Sequence, residues 1–255
     1  MICFKIIILI QVNKVMKVVV VGAGIIGTST AVRIRRQFPQ CDLSIVASTV
    51  SPDPSLTSDI SAGWWEPHLD PDTDPGLVTH WSAETYSLLA TLASGQDDAD
   101  LGPELSQVMR PCVRSVRGTL ISAEVMTPPQ WSSAVSGYRT LSSSDINNMG
   151  LSSDADVHGH TFDSYSWPPS LSLPLFYKWL TNNGVIIEQR RVESLSDIDA
   201  DIIVNCSGLG SVSLVNDQNM FPISGAIDSK HKDQKFQIRQ RKLFTAKAPR
   251  SETYV

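Results

Sequence analysis

Three glycines are spaced for phosphate chemistry. Gly22, Gly24 and Gly27, with Ala23, Ile25 and Ile26 between them, fall as G-x-G-x-x-G directly after Val18-Val19-Val20-Val21. In that spacing the first glycine permits a tight turn. The second lets a pyrophosphate reach bare backbone, and the third lets the next helix pack close to the strand. The free N–H groups and positive end of that helix then face the phosphates. Small residues recur in Ser58-Asp59-Ile60-Ser61-Ala62-Gly63, where backbone can approach a flat ligand. Trp64 and Trp65 beside them are either an apolar wall for that ligand or a packed aromatic pair on a turn. His158 and His160 would share one face of a strand. No third ligand stands at a persuasive spacing, so no metal site is expected and a polar loop near Phe162 and Tyr165 is the reading. Asp70, Asp72 and Asp74 alternate like a calcium loop, but Pro75 takes the glycine position and Trp81 the glutamate position. They read as a solvated acidic loop.

The elements that must position these groups form a βαβ unit. Four consecutive valines suit a strand buried on both faces. A helix is expected over 25–37, with Ile25, Ile26, Ala31, Val32 and Ile34 on one face and Pro39 closing it. A second strand follows over 43–47. A helix is expected over 81–93, short strands around Gly118, another over 138–141, and a helix start capped within 142–145. Residues 174–183 read as a helix with Pro174 in its first turn and Asn183-Gly184 ending it. Strands at 185–187 and 202–204 then return to the first sheet. Ser207-Gly208 thus falls at the carboxyl end of a strand, where ligands bind in such sheets. Phe236 and Ile238 alternate like a surface strand.

The chain has 255 residues, 42% hydrophobic and 18% charged, with a formal net charge of -5. One large or two modest domains fit. No basic patch favours nucleic acid. The apolar run Phe4 to Ile10 is too short to span a bilayer, which takes about 20 residues. Met16 is read as the edge of the domain. Cys3, Cys41, Cys112 and Cys206 form no C-x-x-C pair, which fits a reducing compartment. Asn205-Cys206-Ser207 is formally a glycosylation sequon, expected to be buried and unmodified.

Four runs, in order, resemble the flavin-dependent D-amino-acid oxidase family, which includes the D-aspartate oxidases. They are Val20 to Gly27; Thr57 to Gly63 followed by Pro67; Trp179-Leu180 with Gly184-Val185 and Gln189 to Ser194; and Asp201 to Gly208. The resemblance covers residues 16 to about 210 and implies an α/β fold: an FAD-binding Rossmann-like βαβ sheet with an interleaved strand-rich substrate domain, incomplete at the carboxyl terminus. The implied division is 16–70, first part of the FAD domain; 71–184, a mixed segment with part of the substrate domain; 185–215, the return segment; and 216–255, a truncated substrate-domain segment. In family terms Gly22, Gly24 and Gly27, with the intervening Ala23, Ile25 and Ile26, cradle the FAD pyrophosphate. Thr57, Ser58, Ala62 and Gly63 hold the flavin side. Val192 contacts the adenine region through its backbone, and Ser207 and Gly208 line the ribose and phosphates. His68 stands at the active-site entrance and matches the D-aspartate branch, while Tyr254 matches a tyrosine that holds the substrate carboxylate.

The implied reaction is oxidative deamination of a D-amino acid, acidic ones such as D-aspartate included, to a 2-oxo acid, ammonia and hydrogen peroxide, with FAD as cofactor and molecular oxygen as acceptor. A homodimer is allowed, no nucleic acid or membrane partner is expected, and the implied location is peroxisome or cytoplasm. Three departures stand against it. Ser48 occupies the place of the usual ribose-binding acid. The family arginine that pairs with the substrate carboxylate has no counterpart here. The chain also stops at Tyr254-Val255 without a peroxisomal tripeptide. The alternative is therefore a truncated, inactive homologue that binds nucleotide or a partner. An NAD-dependent dehydrogenase would share the glycine loop but not the runs 57–63 and 205–208, and no G-x-S-x-G hydrolase elbow occurs.

Overall fold

The valine run sets the first layer. A computed structural model describes residues 15–67, 73–150, 157–220, 227–228 and 237–238. In chain order the elements are β1 (Lys17–Val21), α1 (Ile25–Gln37), β2 (Asp42–Ala47), α2 (Thr57–Ile60), α3 (Pro75–Ala93), α4 (Gly102–Met109), β3 (Arg114–Ser122), β4 (Arg139–Thr140), α5 (Ser143–Asn148), β5 (His158–Ser166), α6 (Pro169–Asn182), β6 (Ile186–Gln189), β7 (Ile202–Asn205), α7 (Ser211–Leu214), β8 (Ile227–Asp228) and β9 (Gln237–Ile238). One sheet has the order β6-β2-β1-β7, all parallel, with Val18 opposite Leu43 and Ile202, and Val20 opposite Ile45 and Val204. β1 is thus central and its valines serve both faces. Val18 and Val20 join the main core with Ala31, Phe176 and Leu180, whereas Val19 and Val21 pack with Val46 and Ile198 on the other side.

The second sheet is antiparallel, in the order β3-β5-β4. β5 is its centre, paired with β3 along nine residues, including Gly118 opposite Phe162. A Cβ at Gly118 would lie 2.7 Å from the Phe162 ring, so the missing side chain is what seats this fully buried aromatic. Helix α3 lies against both β3 and β5. The α/β class, the Rossmann-like sheet and the separate strand-rich region follow directly from these pairings.

Several local expectations change. Helix α3 begins at Pro75, not at 81, because the Asp74 carboxylate accepts from the N–H groups of Gly76 and Leu77 and Pro75 suits the first turn. Asp74 is therefore a helix cap rather than a loop acid, while Asp70 and Asp72 lie outside the described residues. Helix α6 starts at Pro169, which places Pro174 inside it. One backbone hydrogen bond is lost there, and burial of Leu173, Phe176 and Leu180 on the inner face offsets it. Residues 114–122 form one long strand. His158 and His160 open a strand rather than a polar loop. Asn205 is exposed, not buried; its side chain is nonetheless tied to Ser207 and Ser211. Of the 229–242 segment only β9 is described, where Ile238 pairs with Ile227; Phe236 lies outside the described residues.

Candidate cofactor and active site

The dinucleotide loop is held by contacts that only glycine permits. Gly22 has a φ of +117°, and a Cβ there would lie 2.1 Å from the Cys206 carbonyl oxygen. A Cβ at Gly27 would lie 1.9 Å from the Gly22 carbonyl oxygen. The turn, the first helix and the end of β7 are therefore locked together. Gly22 N–H donates to Val46 O, and Cys206 N–H to Val21 O, so β1, β2 and β7 reach the loop in register.

Helix α1 starts with no side-chain cap from Gly24. Ile25 N–H donates to Ser58 Oγ at 3.0 Å, and the N–H groups of Ile26 and Gly27 donate to no described protein group. A helix start with open donors and a bare Gly24 beside it suits an anion, because unpaired N–H groups and the helix dipole both favour negative charge. Tyr177 of α6 braces the loop from behind. Its hydroxyl donates to Ala23 O at 2.6 Å and accepts from Ser51 N–H at 3.2 Å. Burial pushes the Tyr177 phenol up, so it stays a donor through the physiological range. Asp59 fixes the next loop by accepting from Ser51 Oγ at 2.5 Å and from Asp53 N–H at 2.9 Å. Sequence reading assigned no role to Tyr177 or Asp59. Asp59 lies within the 57–63 run, whereas no local signal marked Tyr177, which acts across 154 residues of chain.

Ser48 sits exposed at the end of β2, its carbonyl accepting from Gln189 Nε2 at the end of the adjoining β6. Val192 follows two residues after Arg190, whose N–H donates to Ala47 O. Ser207 Oγ donates to Asn205 Oδ1 at 2.7 Å and shares a hydrogen bond with Ser211 Oγ; Gly208 has a φ of +56° and open space where a side chain would be. Gly22, Ser48, Val192, Ser207 and Gly208 thus all lie at the carboxyl ends of parallel strands, the side on which open α/β sheets take ligands. Ser58 joins them through Ile25, while exposed Thr57 begins α2. The wholly apolar crevice lined by Met16, Val18, Ile34, Phe38, Cys41 and Ile202 lies toward the opposite end of the strands and offers nothing to a phosphate.

From Ala62 the chain crosses to the antiparallel sheet. Ala62 O accepts from Ser166 Oγ, Gly63 O from Trp167 N–H, and Trp65 N–H donates to Tyr165 O. Trp65 is buried edge-on to Tyr86 and Trp131, and Trp64 stacks on Phe162. The two tryptophans are a packed aromatic group that joins the two regions. His160 is also buried, against Tyr138, and burial pushes its imidazole down, toward the neutral form. Among the described residues no group of three or more His, Cys, Asp or Glu could hold a metal. No described helix is long and apolar enough to cross a membrane. His68 and Tyr254 lie outside the described residues.

Comparison with known proteins agrees with this geometry. Residues 17–240 match the family model described as DAO, FAD dependent oxidoreductase. The chain is 32% identical over 215 residues to D-aspartate oxidase of Homo sapiens, covering 83% of this chain and 58% of that protein. It is 29% identical over 220 residues to a D-amino-acid oxidase of Rubrobacter xylanophilus, covering 84% of this chain and 59% of that one. The chain therefore spans somewhat over half the length of these relatives. Among solved structures, an Amadoriase I mutant from Aspergillus fumigatus superposes with a TM-score of 0.57 at 16% identity, covering 80% of this chain and 51% of the other, a likeness of fold.

Proposed function

The chain belongs to the DAO family of FAD-dependent oxidoreductases, and from that premise we propose that it serves the oxidative deamination of D-amino acids, acidic ones such as D-aspartate included. FAD is the cofactor. The observation that carries its placement is the open start of α1, where Ile26 and Gly27 N–H donate to no described group, beside a loop whose Gly22 and Gly27 leave no room for a side chain. The relatives named D-aspartate oxidase and D-amino-acid oxidase support the substrate class.

Bound FAD supplies a two-electron acceptor, so that a D-amino acid, oxygen and water yield a 2-oxo acid, ammonia and hydrogen peroxide. The protein's share is placement. The backbone N–H groups at the start of α1 would take the pyrophosphate, and Tyr177 fixes the Ala23 carbonyl of the same loop. The Ser48 hydroxyl takes the adenine-side ribose with a neutral bond, weaker than a carboxylate would give. Ser58, Ala62 and Gly63 stand on the flavin side. His68 receives the substrate at the entrance and Tyr254 its carboxylate. Oxygen is the electron acceptor, a homodimer is allowed, and the place of action is the peroxisome or cytoplasm.

The test is product analysis on FAD-loaded protein offered single amino acids of each hand. Equal amounts of peroxide, ammonia and 2-oxo acid from D-amino acids, with none from the L-enantiomers, is the expected result. FAD binding without product from any D-amino acid would leave the reading as a binding-only homologue, which the neutral Ser48 at the ribose position favours.

A further inference from the structure

Two separate routes join the glycine loop to the flavin-side segment, which runs through α2 into the strap of residues 62–67. One route is direct. Ser58 Oγ accepts from Ile25 N–H at 3.0 Å, and a Cβ added to Gly24 would lie 3.0 Å from the same oxygen. The other runs through three side chains on three parts of the chain. The Asp59 carboxylate of α2 accepts from Ser51 Oγ at 2.5 Å and, through its other oxygen, from Asp53 N–H at 2.9 Å. Ser51 N–H donates to the Tyr177 hydroxyl of α6 at 3.2 Å, and that hydroxyl donates to Ala23 O at 2.6 Å. Because the phenol accepts from Ser51, its single proton is left for Ala23.

Ser51 and Ala23 are buried, Asp59 and Tyr177 half-buried, and α2 lies against α6. Hydrogen bonds in series away from water strengthen one another. What reaches the loop is a direction. The Ala23–Gly24 peptide is trans and planar, so its carbonyl and the Gly24 N–H point opposite ways. Holding Ala23 O on Tyr177 therefore turns the Gly24 N–H away from α6, and that N–H, like those of Ile26 and Gly27, donates to no described group.

We propose that Asp59, Ser51 and Tyr177 are positioning residues that act as one relay, through which the flavin-side segment sets the aim of the pyrophosphate loop. Asp59 thus governs a part of the cofactor site that it does not touch. This rests on the placement of FAD proposed above and not on the choice of substrate.

The experiment is a double-mutant cycle on the full chain, with Asp59→Asn, Tyr177→Phe and the two together, titrated with FAD and with ADP. ADP carries the pyrophosphate and no flavin, so it reads the glycine loop alone. ADP affinity is expected to fall about fivefold in Asp59→Asn and about tenfold in Tyr177→Phe, and to fall no further than about tenfold in the double variant. At saturating FAD, the visible circular dichroism of the bound flavin should change in the same sense in both single variants, a readout that a loss of stability alone would not move. Losses that multiply to about fiftyfold, or ADP affinity and dichroism unchanged in Asp59→Asn, would overturn the relay while leaving the cofactor site intact. Gly24→Ala tests the placement itself, because the φ of -73° there suits alanine and the added methyl stands in the path of the pyrophosphate. FAD and ADP binding as tight in Gly24→Ala as in the native chain, or no binding of either in the native chain, would overturn the placement and the relay together. If Asp59→Asn fails to fold, Ser51→Ala takes its place in the cycle; it removes the bond to Asp59 and keeps the Ser51 N–H that meets Tyr177.

Discussion

The two sheets are built by different means. In the parallel sheet the geometry is set by backbone. Gly22, Gly27 and Cys206 touch through main-chain atoms, and the strands meet in strict register around β1. In the antiparallel region it is set by side chains from distant positions. Trp65, Tyr86, Trp131, Phe162 and Tyr165 form one chain of ring contacts gathered from the strap, α3, the 130–134 turn and β5. A backbone site tolerates almost no added atom but needs few particular side chains. An aromatic cluster tolerates shape-preserving changes and fails when a large ring is removed.

That contrast can be broken most sharply at Gly27. Gly27→Ala forces a methyl against the Gly22 carbonyl and is expected to cost about 4 kcal/mol or more and to abolish FAD retention. Denaturant unfolding and the flavin absorbance of purified protein check both. Trp131→Ala, in the other region, is expected to cost about 3–5 kcal/mol, with FAD affinity falling far less than in Gly27→Ala. Equal losses of FAD affinity in the two variants would erase the distinction.

The strap between the regions gives a smaller, pH-dependent effect. Folding raises the Glu66 carboxyl from its usual 4.5 to about 7, so the native state binds the proton more tightly than the unfolded state. The stability it contributes is complete below pH 4.5, falls as pH rises, and is gone above about 7. Relative to Glu66→Gln the native chain should lose about 2–3 kcal/mol across that window, read as the difference between two melting curves at each pH. Tyr177→Phe removes the donor to Ala23 O and the acceptor for Ser51 N–H. It should cost about 1–2 kcal/mol and weaken FAD binding, which flavin fluorescence titration measures. Asp74→Ala, far from the glycine loop, removes the cap of α3 and should cost about 1 kcal/mol with no change in FAD affinity.

What could be read from the sequence follows the same division. The glycine spacing, the valine run and the return at 202–208 are local signals, and the parallel sheet follows from them nearly residue for residue. The full extent of α3 is not legible in the sequence, because its cap, Asp74, stands in an acidic run that resembles a metal loop. Pro174 reads as a helix start because proline disfavours a helix interior, and the buried face of α6 overrides that preference. The buried strand at 158–166 carries His, Ser and Asp, so its alternation is not hydrophobic and its start reads as a loop. It is held by pairing with β3 and β4 and by rings from far along the chain. Tyr177 and Glu66 gave no signal because their significance lies in what surrounds them, not in their neighbours in sequence.

The central proposal is that the carboxyl end of the parallel sheet holds FAD in position to oxidise a D-amino acid. The most direct measurement is the flavin spectrum of FAD-loaded protein mixed without oxygen with D- or L-amino acids. The account predicts loss of the oxidised flavin band with the D-enantiomer alone and its return, with peroxide, when oxygen is admitted. A band that stays unchanged with every D-amino acid, or that is lost equally with the L-enantiomer, would contradict it.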